Sequence, residues 1–393
     1  MKIVLAILIL GLVYVLQRGL YQRYWNKGLK VSLGFDSGFL ECGEDTVLKI
    51  EIENRKLLPL PVFHLKYTMD RSLLFSDNDN STITDLNYRN DVFSILGNQR
   101  IIRKHVLRGG RRGVFYIPGC TVHVKDFFLV TTFAEQVNTD SKIYVFPKKI
   151  TGKGYDDLMN GIMGEILVRR SLIPDNMSFR GIREYMITDS QRSINWKQTA
   201  RRNDLMVNLY DYTMDREIRL LLNLDTHNMI EPAHLLEETI SLTSSAARSF
   251  LRKKVGVSLK TNGRMKAPDD PDRFITNKPV SDKGSKSEIP CPEIGRGTDY
   301  SHLVTVDKIL SAITSTSGSA EFLKMLDIEM KSSLSTVLYF VISPYYKEDL
   351  LEKLDRMERL GMNVMLIVPY YDKMGFEPTR RYMRGWEVKF DEI

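Results

Sequence analysis

The chain has 393 residues, enough for two or three domains. Apolar residues make up 43% and charged residues 27%, which excludes a collagen, a coiled coil, a polytopic transporter and a wholly disordered chain. Lys+Arg 56 against Asp+Glu 49 leaves +7, less basic charge than a dedicated nucleic-acid binder concentrates, and nucleic acid is not an expected partner.

Ile3 to Leu16 is an unbroken apolar run of 14 residues. Lys2 and Arg18 can snorkel at its ends, and Tyr21, Tyr24 and Trp25 suit the headgroup level. Gln17 to Tyr21 is bulky and basic and offers no small-x-small cleavage site, so an uncleaved anchor is expected, with the bilayer contacted through residues 3–16. Arg18, Arg23, Lys27 and Lys30 follow the run and only Lys2 precedes it, which directs the bulk of the chain to the cytoplasm of a single-pass protein of the cell membrane. Three widely spaced cysteines (Cys42, Cys120, Cys291) agree with a reducing compartment.

Residues 28–150 read as strands, beginning with the alternation Thr46 to Glu53. Further β-type runs are Val62–Met69, Ile101–Leu107, Gly113–Ile117, Cys120–Val124, Phe127–Phe133 and Ile143–Phe146, which together predict an antiparallel β-sandwich. Residues 151–215 are irregular and polar. From 216 to 393 strands alternate with helices: strand Glu217–Leu224, helix Glu231–Lys254, strands Val255–Leu259 and Ser335–Ile342, helix Lys347–Leu360, strand Asn363–Val368. That alternation predicts an open, mostly parallel α/β sheet, interrupted by a long surface loop at 262–299.

Enzyme signatures are scarce. GxxxxGK[ST], GxSxG, HExxH and HxxEH do not occur, and the six histidines are scattered. A nucleophile–base pair such as Cys120 with His123 has no local signature, and the histidines read better as surface or satisfied polar residues; an unrecognised Cys/His or carboxylate site in a membrane-associated hydrolase is the alternative to a non-enzymatic protein. Arg108 to Gly113 reads as a glycine turn between strands.

Residues 179–210 weave Arg183, Glu184, Asp189, Arg192, Lys197, Arg201 and Arg202 around Tyr185 and Trp196. Such a weave builds either a packed ion-pair network anchored by Trp196 or a docking or anion-binding surface. Phe179, Gly181, Arg183, Glu184, Tyr185, Asp189, Arg192, Ile194, Trp196, Ala200 and Arg201 follow the pattern F-x-G-x-R-E-Y-x-x-G-D-x-x-R-x-I-x-W-x-x-x-A-R, with Thr188 in place of the second glycine. In this the chain resembles the bacterial domain-of-unknown-function 58 family. Arg111-Arg112-Gly113, Asp126-Phe127-Phe128, Tyr144 to Pro147, Gly297-Thr298-Asp299 and Ile342-Ser343-Pro344 are similar to its other blocks.

The resemblance implies a membrane anchor (residues 1–27), a β-sandwich, and a C-terminal domain similar to von Willebrand factor A. It also implies a partner, a MoxR-type AAA+ ATPase, and with it a client protein. An A-type domain often holds Mg²⁺ through an Asp-x-Ser-x-Ser loop and a threonine and an aspartate on two further loops. Asp225 and Thr298 are the corresponding candidates here, but His227 and Met229 replace the serines and Pro344 stands near the third position. No metal or other cofactor is therefore expected, and Asp225 is read instead as a cap for the helix that follows.

Overall fold

A computed structural model describes the chain except Met1 and residues 77–80, 85, 171–178, 187–188, 211–216, 226–231, 267–287, 333–336, 372–375 and 389–393. The first element, α1 (Lys2–Tyr24), carries the apolar run and is long and apolar enough to cross a membrane. Its last turn does not hang free. Tyr21 is buried and its hydroxyl donates to the Pro59 carbonyl at 2.8 Å, and Trp25 stacks on Phe133 at 5.9 Å.

Ten strands follow: β1 (Leu29–Phe35), β2 (Phe39–Glu41), β3 (Asp45–Asn54), β4 (Leu60–Asp70), β5 (Leu73–Phe75), β6 (Ser81–Ile83), β7 (Leu86–Ile95), β8 (Gln99–Gly109), β9 (Gly113–Lys125) and β10 (Thr132–Phe146). They form a sheet ordered β1-β3-β8-β5 and a sheet ordered β2-β10-β9-β4-β7-β6, antiparallel except where β2 runs parallel to β10. In β3, Leu48, Ile50 and Ile52 are fully buried while their neighbours are only half-buried, the burial that period-2 alternation dictates. These residues share one apolar cluster with Phe63 and Leu65 of β4 and Val122 and Val124 of β9, so both sheets contribute to a single core. Two expected strands, Gly113–Ile117 and Cys120–Val124, are one continuous β9 through Pro118-Gly119. The expected strand Phe127–Phe133 is a correction: 126–131 is a turn, and β10 begins only at Thr132.

The reading of 151–215 as irregular is also corrected. Residues Lys153–Arg170 form α2, whose Tyr155, Met159, Ile162 and Met163 are buried at the i, i+4, i+7 spacing of one helix face. Beyond it, β11 (Phe179–Glu184) pairs with β12 (Met206–Tyr210) around α3 (Trp196–Arg202).

The last portion is built on a six-stranded sheet, β17-β14-β13-β19-β20-β21. Its strands are β13 (Glu217–Leu222), β14 (Gly256–Thr261), β17 (Ile294–Gly297), β19 (Val337–Ile342), β20 (Asn363–Tyr371) and β21 (Met383–Val388), all mutually parallel except the edge strand β17. A small antiparallel sheet of β15 (Gly263–Lys266), β16 (Glu288–Pro290) and β18 (Ile313–Thr316) lies beside it. The loop expected at 262–299 is thus partly strand, and its middle lies outside the described residues. Leu338, Phe340 and Ile342 of β19 face a core with α2, α4 (Pro232–Arg252) and α5 (Tyr300–Ala312). Val337, Tyr339 and Val341 face the opposite core, with α6 (Ser319–Lys331) and α7 (Glu348–Arg359). Helices on both faces explain why β19 reads as an unbroken apolar run and β13 as one from Leu220 onward.

Candidate functional site

The β11–β12 hairpin is held by its own polar side chains. Arg183 forks onto Asp189 with two bonds of 2.7 and 2.6 Å, and Asp189 also accepts the Met186 N–H at 2.8 Å. The Arg183 guanidinium, then the Met186 N–H, hold the Asp189 carboxyl below the usual carboxylate range. Asn195 accepts from Gln198 N–H at the start of α3 and donates to Asn208 on β12 at 2.7 Å, while Thr199 accepts from Met206 N–H at 3.0 Å. Met206 and Val207 are buried beneath this frame.

What the frame displays is different in kind. Trp196 is 69% exposed, so the expectation that it anchors the packing is corrected: as the first residue of α3 it points outward, and the buried roles fall to Met206 and Val207. Met186 and Leu205 are exposed as well. Glu184, Arg192, Lys197, Ala200, Arg201 and Arg202 are exposed around Trp196, while Gly181, Arg183, Tyr185, Asp189 and Ile194 are half-buried. Phe179 opens β11 opposite Tyr210. The signature therefore splits: Arg183 and Asp189 build the hairpin, and Trp196 with the basic residues forms its outer surface. Thr188 lies outside the described residues.

A second polar cluster sits where the strand order reverses at β13, the place where open α/β sheets bind ligands. Asn223 donates to Ser343 Oγ at 2.9 Å, Asn262 donates to Asn223 Oδ1 at 2.9 Å, and Asn262 Oδ1 accepts the Leu224 N–H. Ser343 donates on to the Tyr345 carbonyl at 2.5 Å. Sequence reasoning misses this amide–hydroxyl network, although Asn223 lies within one expected strand and Ser343 directly follows another. Asp225 is buried at this end of the sheet. Thr298 is not with it. Gly297 pairs with Val257, which pairs with Ile218 near the start of β13, so the two metal candidates lie at opposite ends of the strands. The physical reason is the antiparallel course of β17, which returns the chain to the wrong end. The segment between Asp225 and Pro232 of α4, His227 and Met229 included, lies outside the described residues, and the reading of Asp225 as a helix cap falls there with it.

Cys120 and His123 do not come together either. An odd spacing on one strand sends the two side chains to opposite faces: Cys120 is buried in the core, where burial pushes its thiol up to about 12, and His123 faces away opposite His64.

Arg112 carries a role that a turn reading hides. Only 6% exposed, it donates to both carboxylate oxygens of Glu237 on α4 at 2.8 Å and to the carbonyls of Leu310, Ser311 and Ile313 at 2.6, 3.3 and 3.0 Å. Nearby, Arg248 on α4 pairs with Glu41 of β2 at 2.5 Å and lies 3.5 Å from Asp307 of α5. Burial pushes the Asp307 carboxyl up to about 6, against the hydrogen bond from Ser244 and the charge of Arg248. The β portion and the α/β portion are thus bolted together through charged groups, of which Arg112 and Asp307 are buried and Glu237, Arg248 and Glu41 half-buried. The other arginines of this region are also engaged, Arg100 with Glu51 and Arg108 with Asp45.

No curated protein matches the chain. Among solved structures, a non-cellulosomal cohesin from Archaeoglobus fulgidus is 13% identical, covering 30% of this chain and 91% of its own, with a TM-score of 0.21. A GH20 exo-β-N-acetylglucosaminidase from Vibrio harveyi is 8% identical, covering 84% of this chain and 60% of its own, with a TM-score of 0.22. Likenesses at these scores carry no argument about this chain. Residues 181–253 match the family model described as protein of unknown function DUF58, a stretch that takes in most of the hairpin with its exposed Trp196, β13 and α4. Over that segment the chain is similar to the DUF58 family.

Proposed function

We propose that this chain is a membrane-tethered, non-enzymatic interaction protein, with α1 as its single anchor and its body on the cytoplasmic side. The observation that carries this reading is the exposed Trp196 set among Arg192, Lys197, Arg201 and Arg202 on a hairpin pinned by Arg183 and Asp189. Trp and Arg dominate the energetics of interfaces, and a frame ordered in advance saves the ordering cost of binding. The charge of this surface selects an acidic partner. On the family resemblance that partner is a MoxR-type AAA+ ATPase, acting with this chain on a client protein. The two sheets around one core support a β-sandwich reading of the first portion. The doubly wound sheet supports a von Willebrand A-like reading of the second, one that works without a bound metal because Asp225 and Thr298 are far apart.

The test uses the full chain in lipid nanodiscs and a purified MoxR-type ATPase. Co-elution on size exclusion that is lost in Trp196→Ala combined with Arg201→Glu supports the docking surface. Co-elution unaffected by that pair moves the interface elsewhere, and no co-elution of the unaltered chain removes the partner.

A further inference from the structure

The turn between β9 and β10 is unusual for an exposed turn. Phe127, Phe128, Leu129 and Val130 are four consecutive large apolar residues, exposed by 63, 42, 49 and 67%. Turns are ordinarily the polar punctuation of a β-protein. This one is also rigidly made. Asp126 is fully buried; its carboxylate accepts the N–H groups of Val130 and Thr131, and its carbonyl accepts that of Leu129. Leu129 is held in the left-handed region at φ 62°, a conformation that a leucine keeps only where its surroundings impose it. The chain thus bears strain to hold four greasy side chains outward.

The position of the turn says what they face. Gln17 of α1 donates to Asp126 at 2.9 Å, and Tyr14 lies one turn closer to the N-terminus, 6.2 Å from Phe128 ring to ring. The apolar tip therefore runs beside the last turn of the apolar run, next to residues that themselves stand exposed along α1, such as Val13 and Leu16. The run of 14 residues is also short. At 1.5 Å per residue it covers roughly 21 Å, against about 30 Å of hydrocarbon. Counted from Lys2, Tyr14 lies only roughly 18 Å into the slab. The turn beside it is then inside the bilayer, not above it. The same end of the β portion carries Leu57 and Leu96, 83 and 64% exposed, in the loops that leave β3 and β7.

We propose that the 126–131 turn is a second membrane contact: its tip inserts into the leaflet that surrounds the end of α1, extends the short span, and fixes the β portion against the lipid surface. This rests on α1 spanning the membrane, as proposed above. The occupant is lipid and not a protein because the patch meets the anchor's own apolar run, Phe128 against Tyr14, at a depth that the span places in the bilayer.

The experiment places an environment-sensitive fluorophore on the full chain, reconstituted in phosphatidylcholine vesicles, at Val130→Cys, at Ile9→Cys within the span, and at Tyr88→Cys on β7. Signal from the native cysteines is subtracted using the unaltered chain. Doxyl-labelled lipid is the quencher. The expected result is quenching at 130 comparable to that at 9 and at least about threefold above that at 88, since a group in the acyl boundary meets the quencher and one in water does not. Quenching at 9 without quenching at 130 overturns the second contact and leaves the anchor standing. A fluorophore at 130 shielded from both lipid quencher and aqueous iodide indicates a protein occupant and also overturns it. No quenching at 9 removes the span and the proposal together.

Discussion

The joint at Arg112 makes the sharpest stability prediction. Arg112→Ala removes two charge-assisted bonds to Glu237 and three to backbone carbonyls, all beside a side chain that is 6% exposed. Glu237 is left with Arg111 at 3.9 Å as its cationic neighbour. Breaking one half of a buried pair costs about 3–5 kcal/mol, because the stranded charge loses its compensation. Arg112→Lys keeps the charge but cannot fork onto a carboxylate while reaching the carbonyls, so it falls between the two. Adding Glu237→Gln to Arg112→Ala removes the stranded charge, and part of the loss returns. A change in pH dependence comes with this. In the unaltered protein burial pushes the Glu237 carboxyl up, but the charge and hydrogen bonds of Arg112, with Arg111 and His234, bring it below 4.5 overall. The unfolded state then holds the proton more tightly, so stability is present above pH 4.5 and lost as pH falls through the lowered value. Without Arg112 the main cause of that lowering is gone, so less stability is lost on the acid side. Urea unfolding of the full chain in micelles at several pH values reads both effects. A loss under about 1 kcal/mol with unchanged pH dependence is what an exposed arginine would give, and it would refute the buried joint.

Trp196→Ala, at a site 69% exposed, is expected to change unfolding stability by no more than about 0.5 kcal/mol; a loss of several kcal/mol by urea titration would show that the indole is covered. Asp307, ordinarily 3.8 and raised to about 6 by burial, holds its proton more tightly folded than unfolded. It therefore lowers stability as pH rises from 3.8 to about 6, by about 3 kcal/mol, and Asp307→Asn should abolish that slope in thermal melts across the window. Asp189→Ala should speed amide exchange at Met186, whose N–H bonds to the lost carboxylate; unchanged exchange would mean that the hairpin is held some other way. Saturating Mg²⁺ should leave the melting temperature unmoved, where a site filled at 100 times its dissociation constant would add about 2.7 kcal/mol.

Elements whose burial follows one clear period were legible in the sequence. The alternation of β3 and the apolar runs of β13 and β19 gave their strands to within two residues, because one face or both faces are covered. Helix α2 was not legible, since Gly161 and Gly164 and its many charged residues blur the stripe of Tyr155, Met159, Ile162 and Met163. Phe127 to Val130 misled in the opposite direction: an apolar run signals burial, but not burial in what. The signature residues could be picked out by their pattern, yet exposure separates Trp196 from Arg183 and Asp189, and exposure depends on how β11, α3 and β12 fold together. Parity alone could have separated Cys120 from His123. Nothing in Thr298 and Asp225 revealed that they lie at opposite ends of the strands, because the direction of β17 is set by pairing with β14 far away in the chain.

Strand β9 begins at the residue after Arg112 and ends at the residue before Asp126. Its 13 residues, at about 3.3 Å each, make a strut of roughly 40 Å between the turn beside α1 and the joint to α4. It pairs with β10 along nearly its whole length, with a shift of register opposite Ile117-Pro118-Gly119, and with β4 over Cys120–Lys125. On the proposed anchoring through α1, such a strut works as a ruler that separates the α/β portion from the end of the anchor. A domain of about 100 residues, with a radius of gyration of about 13 Å, fits within that separation. On the proposed reading, a client of that size matches the separation, whereas a much taller one would have to stand outside.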